Sequence, residues 1–228
     1  MGKVFAMTLP TRGAWTSRDI RESMLLYAVT DRAWLNGRSL GDCVRAVVRG
    51  GATFVQLREK HASQDEVEVL ARELLNICRQ NGVPFVIDDD VQLALKVGAD
   101  GVHVGQEDMA CVQARELLGP DAIVGVSVQT VEQALKAQAD GADYLGVGAM
   151  FGTPTKTDAK LVSFDDLRAI CQAVEIPSVA IGGLNASTVT QLAGTGVDGA
   201  AVVSALFAAD DCEKAARELR AVLEGVAL

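Results

Sequence analysis

The stretch Gly98-Ala99-Asp100-Gly101-Val102-His103-Val104-Gly105-Gln106-Glu107-Asp108 decides the fold of this 228-residue chain. Its first residues are typical of a helix that ends on a left-handed glycine and passes straight into a strand. A short apolar run follows, and a polar cluster closes it. If such units are parallel strands joined by helices, their polar clusters meet at one edge of the sheet. The stretch therefore predicts a βα unit with a ligand site at the end of its strand.

The same unit recurs along the chain. Glycine and aspartate punctuation precedes other apolar runs, as in Gly50-Gly51-Ala52-Thr53, Gly141-Ala142-Asp143 and Gly196-Val197-Asp198-Gly199. Eight strands are predicted, at 25–30, 53–57, 84–87, 101–104, 122–126, 143–147, 178–181 and 199–203. Apolar residues between them have helical spacing, which favours a parallel sheet covered by helices. The predicted fold is an α/β single (βα)8 TIM barrel, with an open doubly wound sheet as the alternative.

Length and charge limit the classes of function. A chain of 228 residues that is 49% hydrophobic suits one barrel domain, 1–228, and residues 1–23 are expected to add a short helix across the barrel bottom. The net charge of -9 offers no basic surface for nucleic acid or an anionic membrane. The expected partners are therefore small molecules, and the oligomeric state is left open.

Cysteine usage indicates the compartment. The five cysteines are scattered and lack CxxC spacing, which favours reduced thiols in the cytoplasm. The first residues carry charges and no long apolar stretch, so neither a signal peptide nor a membrane anchor is expected.

The strand at 53–57 carries the sharpest functional signal. Side chains alternate along a strand, so Val55 and Leu57 suit the face under the helices, and Gln56 and Arg58 face the barrel interior. Unpaired polar groups are costly there, and an anion at the rim would satisfy both. Arg58 and Lys60 supply the cations that a diphosphate needs. The alternative is that they are solvated loop charges.

Carboxylates follow the next two strands. Asp88, Asp89 and Asp90 come after 84–87, and Asp108 comes after 101–104. Neighbouring carboxylates repel one another unless a cation bridges them, and oxygen ligands suit Mg²⁺. Helix capping is the competing explanation, since Asp90 and Asp108 both precede helical segments. We expect Asp90 to be a cap and Asp89 and Asp108 to be metal ligands. His103 is expected to be a structural histidine with local hydrogen bonds.

Later loops offer a second anion site. The polar loop at 152–158 could close over a phosphate, although it could equally be an ordinary surface loop. Gly182-Gly183 and Val203-Ser204 are each expected to open a helix, where backbone N–H groups form the common phosphate site of barrels.

These motifs resemble the thiamine phosphate synthase family over nearly the whole chain. The shared motifs, in order, are Gln-Leu-Arg-Glu-Lys at 56–60, Asp-Asp-Val at 89–91, Gly-Val-His-Val-Gly-Gln-Glu-Asp at 101–108, Gly-Val-Ser at 125–127, Thr-Pro-Thr-Lys at 153–156 and Ile-Gly-Gly at 181–183. The resemblance implies a transferase that joins 4-amino-2-methyl-5-(diphosphooxymethyl)pyrimidine to 4-methyl-5-(2-phosphooxyethyl)thiazole. Its products are thiamine phosphate and pyrophosphate, and in the family pyrophosphate leaves first to give a pyrimidinylmethyl cation.

The resemblance also implies roles for individual residues. Mg²⁺ would be held by Asp89 and Asp108, and Ser127 would lie beside the pyrimidine and the leaving group. The pyrophosphate would be held by Gln56, Arg58, Lys60 and Lys156, within the motif that also contains Leu57 and Glu59. The thiazole phosphate would be held by Thr153, Thr155, Gly183, Val203 and Ser204, with Pro154 inside the same loop. Arg58, Lys60, Ser127 and Lys156 are the expected catalytic residues.

Two positions depart from the family pattern. Asp88 stands where the family usually has asparagine, and Gln129 where it often has histidine. Asp88 adds a negative charge near the expected pyrophosphate, so it must be protonated, metal-bound or turned away. Two alternative functions remain open. One is a thiazole phosphate carboxylate tautomerase of the same fold, and the other is a non-catalytic protein that binds thiamine phosphate, for which Asp88 is the sequence hint.

Overall fold

The eight strands close into one parallel barrel. A computed structural model describes residues 15–152 and 160–228. The strands are β1 (Leu26–Val29), β2 (Phe54–Leu57), β3 (Phe85–Asp88), β4 (Gly101–Val104), β5 (Ile123–Val128), β6 (Tyr144–Gly148), β7 (Ser178–Ile181) and β8 (Gly199–Val202). Each strand pairs with its sequence neighbours, and β8 pairs with β1. The predicted TIM barrel is confirmed, and the open sheet is wrong.

Helices surround the barrel. They are α1 (Ser17–Ser23), α2 (Leu40–Arg49), α3 (Gln64–Asn81), α4 (Val91–Val97), α5 (Cys111–Leu118), α6 (Val131–Ala139), α7 (Phe164–Ala173), α8 (Ser204–Phe207) and α9 (Cys212–Glu224). Short 3-10 helices lie at Arg32–Trp34 and Val189–Leu192. Within residues 15–152 and 160–228, no helix is both long and apolar enough to cross a lipid bilayer.

Side-chain alternation divides the core into two layers. Val55 and Leu57 lie in the large apolar layer between strands and helices. Phe54 points the other way, into a smaller cluster that fills the barrel interior, and Gln56 is buried on the same face. The alternation predicted for this strand is confirmed, because successive side chains of a strand point to opposite faces.

Aromatic rings fill the centre of the barrel. Tyr27, Phe54 and Tyr144 pack against one another, with ring centroids 4.5 to 5.8 Å apart. The Tyr144 ring lies directly against the backbone of Gly125, where any β-carbon would overlap it. The interior is therefore a packed core and not a channel, so a ligand must bind at one end.

The N-terminal end of the barrel is covered by α1. Thr16 caps this helix through a capping box with Asp19. Ile20 and Met24 are buried in the interior cluster. Arg21 forms an ion pair of 2.5 Å with Asp198. This end is closed, which leaves the opposite end for a site.

The connection after β7 differs from its prediction. Gly182 and Gly183 both have positive φ, and between β7 and β8, where every residue is described, the only helical segment is the 3-10 turn at Val189–Leu192. The Asn185 side chain accepts hydrogen bonds from the backbone of Ser187 and Thr188, which offers the chain an alternative to helical pairing. The prediction that Gly182-Gly183 opens a helix is wrong, whereas α8 does begin at Ser204.

The cysteines are all free thiols. Four are buried and Cys171 is half-buried. They serve as small packing residues of the apolar layer, as expected from their scattered spacing.

Candidate active site

Charged side chains from three neighbouring strands meet at the open end of the barrel. Arg58 and Lys60 follow β2, Asp88 ends β3 and Asp89 follows it, and Asp108 follows β4. The parallel register of β2, β3 and β4 brings these residues together. The sequence-predicted cluster thus forms at the carboxyl ends of the strands, where barrel enzymes hold their ligands.

Arg58 is held loosely. Its guanidinium lies 3.7 Å from Asp31 and 3.8 Å from Asp88, both beyond hydrogen-bonding distance. The side chain is 23% exposed. Most of its donors are therefore free to bind an anion at the mouth, and a planar fork suits phosphate oxygens.

Lys60 lies between two carboxylates. Its Nζ is 3.0 Å from Asp88 Oδ2 and also contacts Asp89 Oδ2. Burial lowers the pKa of Lys60, but Asp88 and Asp89 together outweigh it, so the pKa is raised above its usual value. Burial raises the pKa of Asp88, against the opposing effect of Lys60 and Arg58. Lys60 is therefore a permanent cation at physiological pH.

Asp89 and Asp108 form a carboxylate pair. Burial raises the pKa of Asp108, and so do a hydrogen bond with Asp89 and the charge of Asp89, because the two carboxyl groups lie close together. Asp89 has a positive φ of 60°, which turns its side chain away from the strand direction. Asp108 accepts a hydrogen bond of 2.8 Å from the Gly105 amide. It does not cap α5, whose N-cap is Ala110 without a side-chain bond, so the capping alternative for Asp108 is wrong.

This donor set fits a divalent cation. Across the described parts of the chain, no group of three or more acidic, histidine or cysteine side chains could hold a metal. Two carboxylates are nevertheless what Mg²⁺ commonly takes from a protein, because water and substrate phosphate supply its other ligands. Three carboxylates, Asp88, Asp89 and Asp108, face two cations, Arg58 and Lys60, so an incoming anion needs additional positive charge.

Asp90 has a separate role. Its side chain accepts a hydrogen bond of 2.8 Å from the Leu93 amide and caps α4. The prediction that Asp90 is a helix cap is confirmed.

Gln56 is already paired inside the protein. Its Oε1 accepts a hydrogen bond of 2.8 Å from Tyr27, and its Nε2 donates one of 2.5 Å to Asp88. Gln56 therefore does not need an anion to satisfy it, and the reasoning that placed one there for this purpose is wrong. Asp88 is turned inward toward Gln56 and Lys60, which is one of the three solutions expected for its extra charge.

Ser127 is joined to the barrel interior. Its Oγ lies 2.9 Å from His103 Nε2, and His103 Nδ1 lies 2.9 Å from the Tyr144 hydroxyl. The prediction that His103 is a structural histidine with local bonds is confirmed. Burial lowers the pKa of His103 to about 4, so the ring is neutral at pH 7.

The buried histidine makes stability depend on pH. Because the pKa of His103 is lowered to about 4 in the folded protein, the unfolded chain binds a proton first as the pH falls below about 6.5. We expect the free energy of unfolding to fall by about 2 kcal/mol from this group between pH 7 and pH 5. Urea titrations of the wild type and His103→Gln measure it. Equal pH dependence in both proteins would contradict the prediction.

Two residues of the shared motif point away from the mouth. Leu57 is buried in the apolar layer between strands and helices. The Glu59 carboxylate accepts hydrogen bonds from the His61 and Ala62 amides and lies 3.5 Å from Arg32. Their side chains shape the β2 loop, so any substrate contact at these two positions would come from the backbone.

The other side of the mouth is formed by β6, β7 and β8. The Met150 amide donates to Ile181 O at 2.9 Å, and the Phe151 amide donates to Gly182 O at 3.1 Å. The described residues that precede position 153 are therefore fixed to the turn after β7. Val203 and Ser204 lie half-buried at the start of α8, beside that turn in the barrel order.

Gly183 is required by this packing. Its φ is +65°, and an added β-carbon would lie 2.6 Å from Phe151 Cβ. The family resemblance implies that Gly183 holds the thiazole phosphate, so we expect Gly183→Ala to displace the 149–152 segment and weaken binding of that substrate roughly tenfold or more, with a smaller effect on the pyrimidine. Michaelis constants for both substrates measure this. Equal losses for both would contradict it.

Four predicted residues, Thr153, Pro154, Thr155 and Lys156, lie outside the described residues. Gln129 Nε2 donates to Gly148 O at 3.3 Å and to Lys160 O at 3.1 Å. Gln129 thus joins the end of β6 to Lys160.

Sequence reasoning missed Tyr27, Tyr144 and Asp31. Tyr27 and Tyr144 join the polar groups of the interior, and Asp31 lies beside Arg58. A signal existed for the tyrosines: both lie near the start of a strand, Tyr27 in β1 and Tyr144 in β6, and a buried tyrosine hydroxyl needs a partner.

Comparison with known proteins identifies the family of this chain. The family described as Thiamine monophosphate synthase matches residues 26–206. Thiamine-phosphate synthase of Chloroflexus aurantiacus is 51% identical over 199 residues, which cover 87% of this chain and 92% of that protein. The solved thiamine phosphate pyrophosphorylase from Pyrococcus furiosus is 41% identical, with a TM-score of 0.84 over 90% of this chain and 98% of that chain.

A more distant structure shows how widely the fold is used. The solved 3-hexulose-6-phosphate synthase superposes with a TM-score of 0.61 at 18% identity, over 87% of this chain and 99% of that one, which shows a shared barrel alone. The identities above 40% over most of the length carry the assignment. This chain belongs to the thiamine monophosphate synthase family.

Proposed function

We propose that this transferase joins 4-amino-2-methyl-5-(diphosphooxymethyl)pyrimidine to 4-methyl-5-(2-phosphooxyethyl)thiazole, releasing pyrophosphate and forming thiamine phosphate. The observation that carries the proposal is the Asp89 and Asp108 pair beside the loosely held Arg58, since together they fit a metal-bound diphosphate. Family membership supports the same reaction.

Arg58 and Lys60 bind the diphosphate on the β2 side of the mouth. Arg58 offers a planar pair of donors, and Lys60 moves from its carboxylate partners toward the phosphate oxygens. Lys156 is proposed to add a third cation from the loop after β6. These charges stabilise the leaving group most when it has gained its full negative charge, so they lower the barrier to departure.

Asp89 and Asp108 would hold Mg²⁺ at the same place. When bound, the ion would supply positive charge to the diphosphate. Asp89 and Asp108 would hold it, while Arg58 and Lys60 would bind the diphosphate through their own donors.

The proposed order of bond changes is the one that the family resemblance implies. The bond between the pyrimidine methylene carbon and the diphosphate oxygen breaks first, and both its electrons leave with pyrophosphate. The thiazole nitrogen then donates its lone pair to the cationic carbon and forms the new C–N bond. Thr153, Thr155, Gly183, Val203 and Ser204 are proposed to hold the thiazole phosphate on the β6 to β8 side, which aims the nitrogen at the pyrimidine.

Two other functions give different results in one assay. The purified chain is incubated with both substrates and Mg²⁺, and release of pyrophosphate and formation of thiamine phosphate are followed together. The proposal expects one pyrophosphate per thiamine phosphate. A tautomerase would release none, and a binding protein would retain thiamine phosphate without turnover. Either result would overturn the proposal. A cytoplasmic location stays a prediction from the cysteine pattern.

A further inference from the structure

A continuous line of hydrogen bonds runs through the barrel interior and begins and ends at the mouth, at Ser127 on β5 and at Asp88 on β3. It passes from Ser127 through His103, Tyr144, Tyr27 and Gln56 to Asp88, with distances of 2.5 to 2.9 Å. Tyr27, Gln56, His103 and Tyr144 are all buried. No water is needed to complete the line, because each group touches the next directly.

The direction of every bond is fixed from the Asp88 end. Asp88 Oδ2 faces the donors Lys60 and Arg58, and Asp88 Oδ1 accepts from Gln56 Nε2. Gln56 Oε1 therefore faces Tyr27 and accepts a hydrogen bond from the Tyr27 hydroxyl, which has only one proton to donate. Tyr27 must therefore accept from Tyr144.

The remaining bonds follow in the same way. Since Tyr144 donates its proton to Tyr27, its oxygen accepts from His103, whose Nδ1 must carry the hydrogen. A neutral imidazole carries one hydrogen, so Nε2 is an acceptor. The Ser127 hydroxyl must then donate to His103 Nε2.

We propose that this line of hydrogen bonds, all oriented in one direction, makes Ser127 Oγ a hydrogen-bond acceptor toward the ligand. Asp88 sets the direction, and the positioning residues are His103, Tyr144, Tyr27 and Gln56. Since its only proton points inward, Ser127 offers lone pairs to the mouth. It therefore suits an N–H donor, such as the exocyclic amine of the aminopyrimidine, and does not suit a phosphate oxygen.

Asparagine at position 88 would reverse the direction of every hydrogen bond in this line. Lys60 and Arg58 are donors, so the oxygen of an asparagine would face them and its NH₂ group would face Gln56. Gln56 would turn over, and each following bond would change direction. His103 would then carry its hydrogen on Nε2, and Ser127 would become a donor toward the ligand.

The tautomer of His103 is therefore the readout. The protein has two histidines, His61 and His103. In a His61→Asn variant without a histidine tag, His103 is therefore the one imidazole that ¹⁵N NMR of the full chain observes. His61 lies exposed in the β2 loop, outside the line. At neutral pH we expect hydrogen on Nδ1 with bare Nε2, and the opposite tautomer in Asp88→Asn.

A matched control and a second variant complete the design. Asp90→Asn makes the same chemical change two positions away, outside the line, and should keep the wild-type tautomer. Tyr144→Phe removes the acceptor of Nδ1–H and should also shift hydrogen to Nε2, which tests the line if Asp88→Asn does not fold. Hydrogen on Nε2 in the unmutated chain, or an imidazolium, would overturn the proposed direction. An unchanged tautomer in folded Asp88→Asn would overturn the role of Asp88.

The ligand preference is tested by binding and rests on the proposed function, because it takes the aminopyrimidine as the ligand. Calorimetry compares 4-amino-5-hydroxymethyl-2-methylpyrimidine with its analogue lacking the amino group. Loss of the amine should weaken binding up to roughly tenfold in the wild type and little in Ser127→Ala. Equal losses in both would overturn the acceptor role. The NMR measurement needs no turnover. The expected tautomers in an inactive protein would therefore overturn only the proposed function. The opposite tautomers in an active protein would overturn only the proposed direction of the hydrogen bonds.

Discussion

Replacing Asp89 or Asp108 with asparagine is expected to lower the turnover number by about a hundredfold or more. The change keeps the shape of each side chain and removes one of the two negative charges that face each other at the mouth. Without that charge the proposed metal would be held weakly, and the departing pyrophosphate would lose a counter-charge. Steady-state kinetics across a Mg²⁺ titration measure this, and excess metal should restore part of the rate.

Asp90→Asn is the matched control for this pair. Asparagine is also a good helix N-cap, so we expect unchanged turnover and a loss of about 1 kcal/mol of stability or less. Adding a chelator to the wild type should abolish activity. Full turnover in chelator, or equal losses in all three variants, would contradict the assignment of a metal to Asp89 and Asp108.

Arg58→Met is expected to lower kcat/KM for the pyrimidine diphosphate by about a hundredfold while leaving the fold stable. Its ion pairs of 3.7 and 3.8 Å contribute little to stability, because they are long and partly exposed. Its donors are instead free for the substrate. Kinetics and urea unfolding of the same preparation separate the two effects.

Arg115 supplies the contrast. Its guanidinium donates to the backbone oxygens of Gly141 and Ala122 and pairs with Asp143 at 2.5 Å, far from the mouth. Arg115→Met should therefore cost about 3 kcal/mol of stability with near-normal kinetics in the folded fraction. If Arg58→Met lost stability instead of activity, Arg58 would be a structural arginine like Arg115.

The parts of the fold that local pattern controls could be predicted from the sequence. The alternation of side chains along a strand predicted that Val55 and Gln56 lie on opposite faces. The glycine and aspartate residues before the apolar runs predicted the eight successive strands. The sequence also predicted that Arg58, Lys60 and Asp89 lie close together, because neighbouring parallel strands end at the same rim of the barrel. Those inferences need only the period of a strand and the sign of a charge.

The partners of buried polar groups could not be predicted. Whether Gln56 is satisfied by a ligand or by Tyr27 depends on ring positions set by the packing of three strands. The missing α-helix after β7 has a similar cause, since side-chain bonds of Asn185 compete with helical pairing over a few residues. Capping by Asp108 was an open alternative because sequence spacing does not show where a side chain turns.

The close approach of Gly125 to the Tyr144 ring constrains how this barrel could change over generations. A side chain at position 125 would overlap the ring, so it could be accepted only after the residue at 144 had become smaller. That first change would remove the hydroxyl that His103 and Tyr27 both contact. Relatives with a larger residue at position 125 should therefore have lost the tyrosine at 144 earlier in their history, so the order of the two substitutions is fixed.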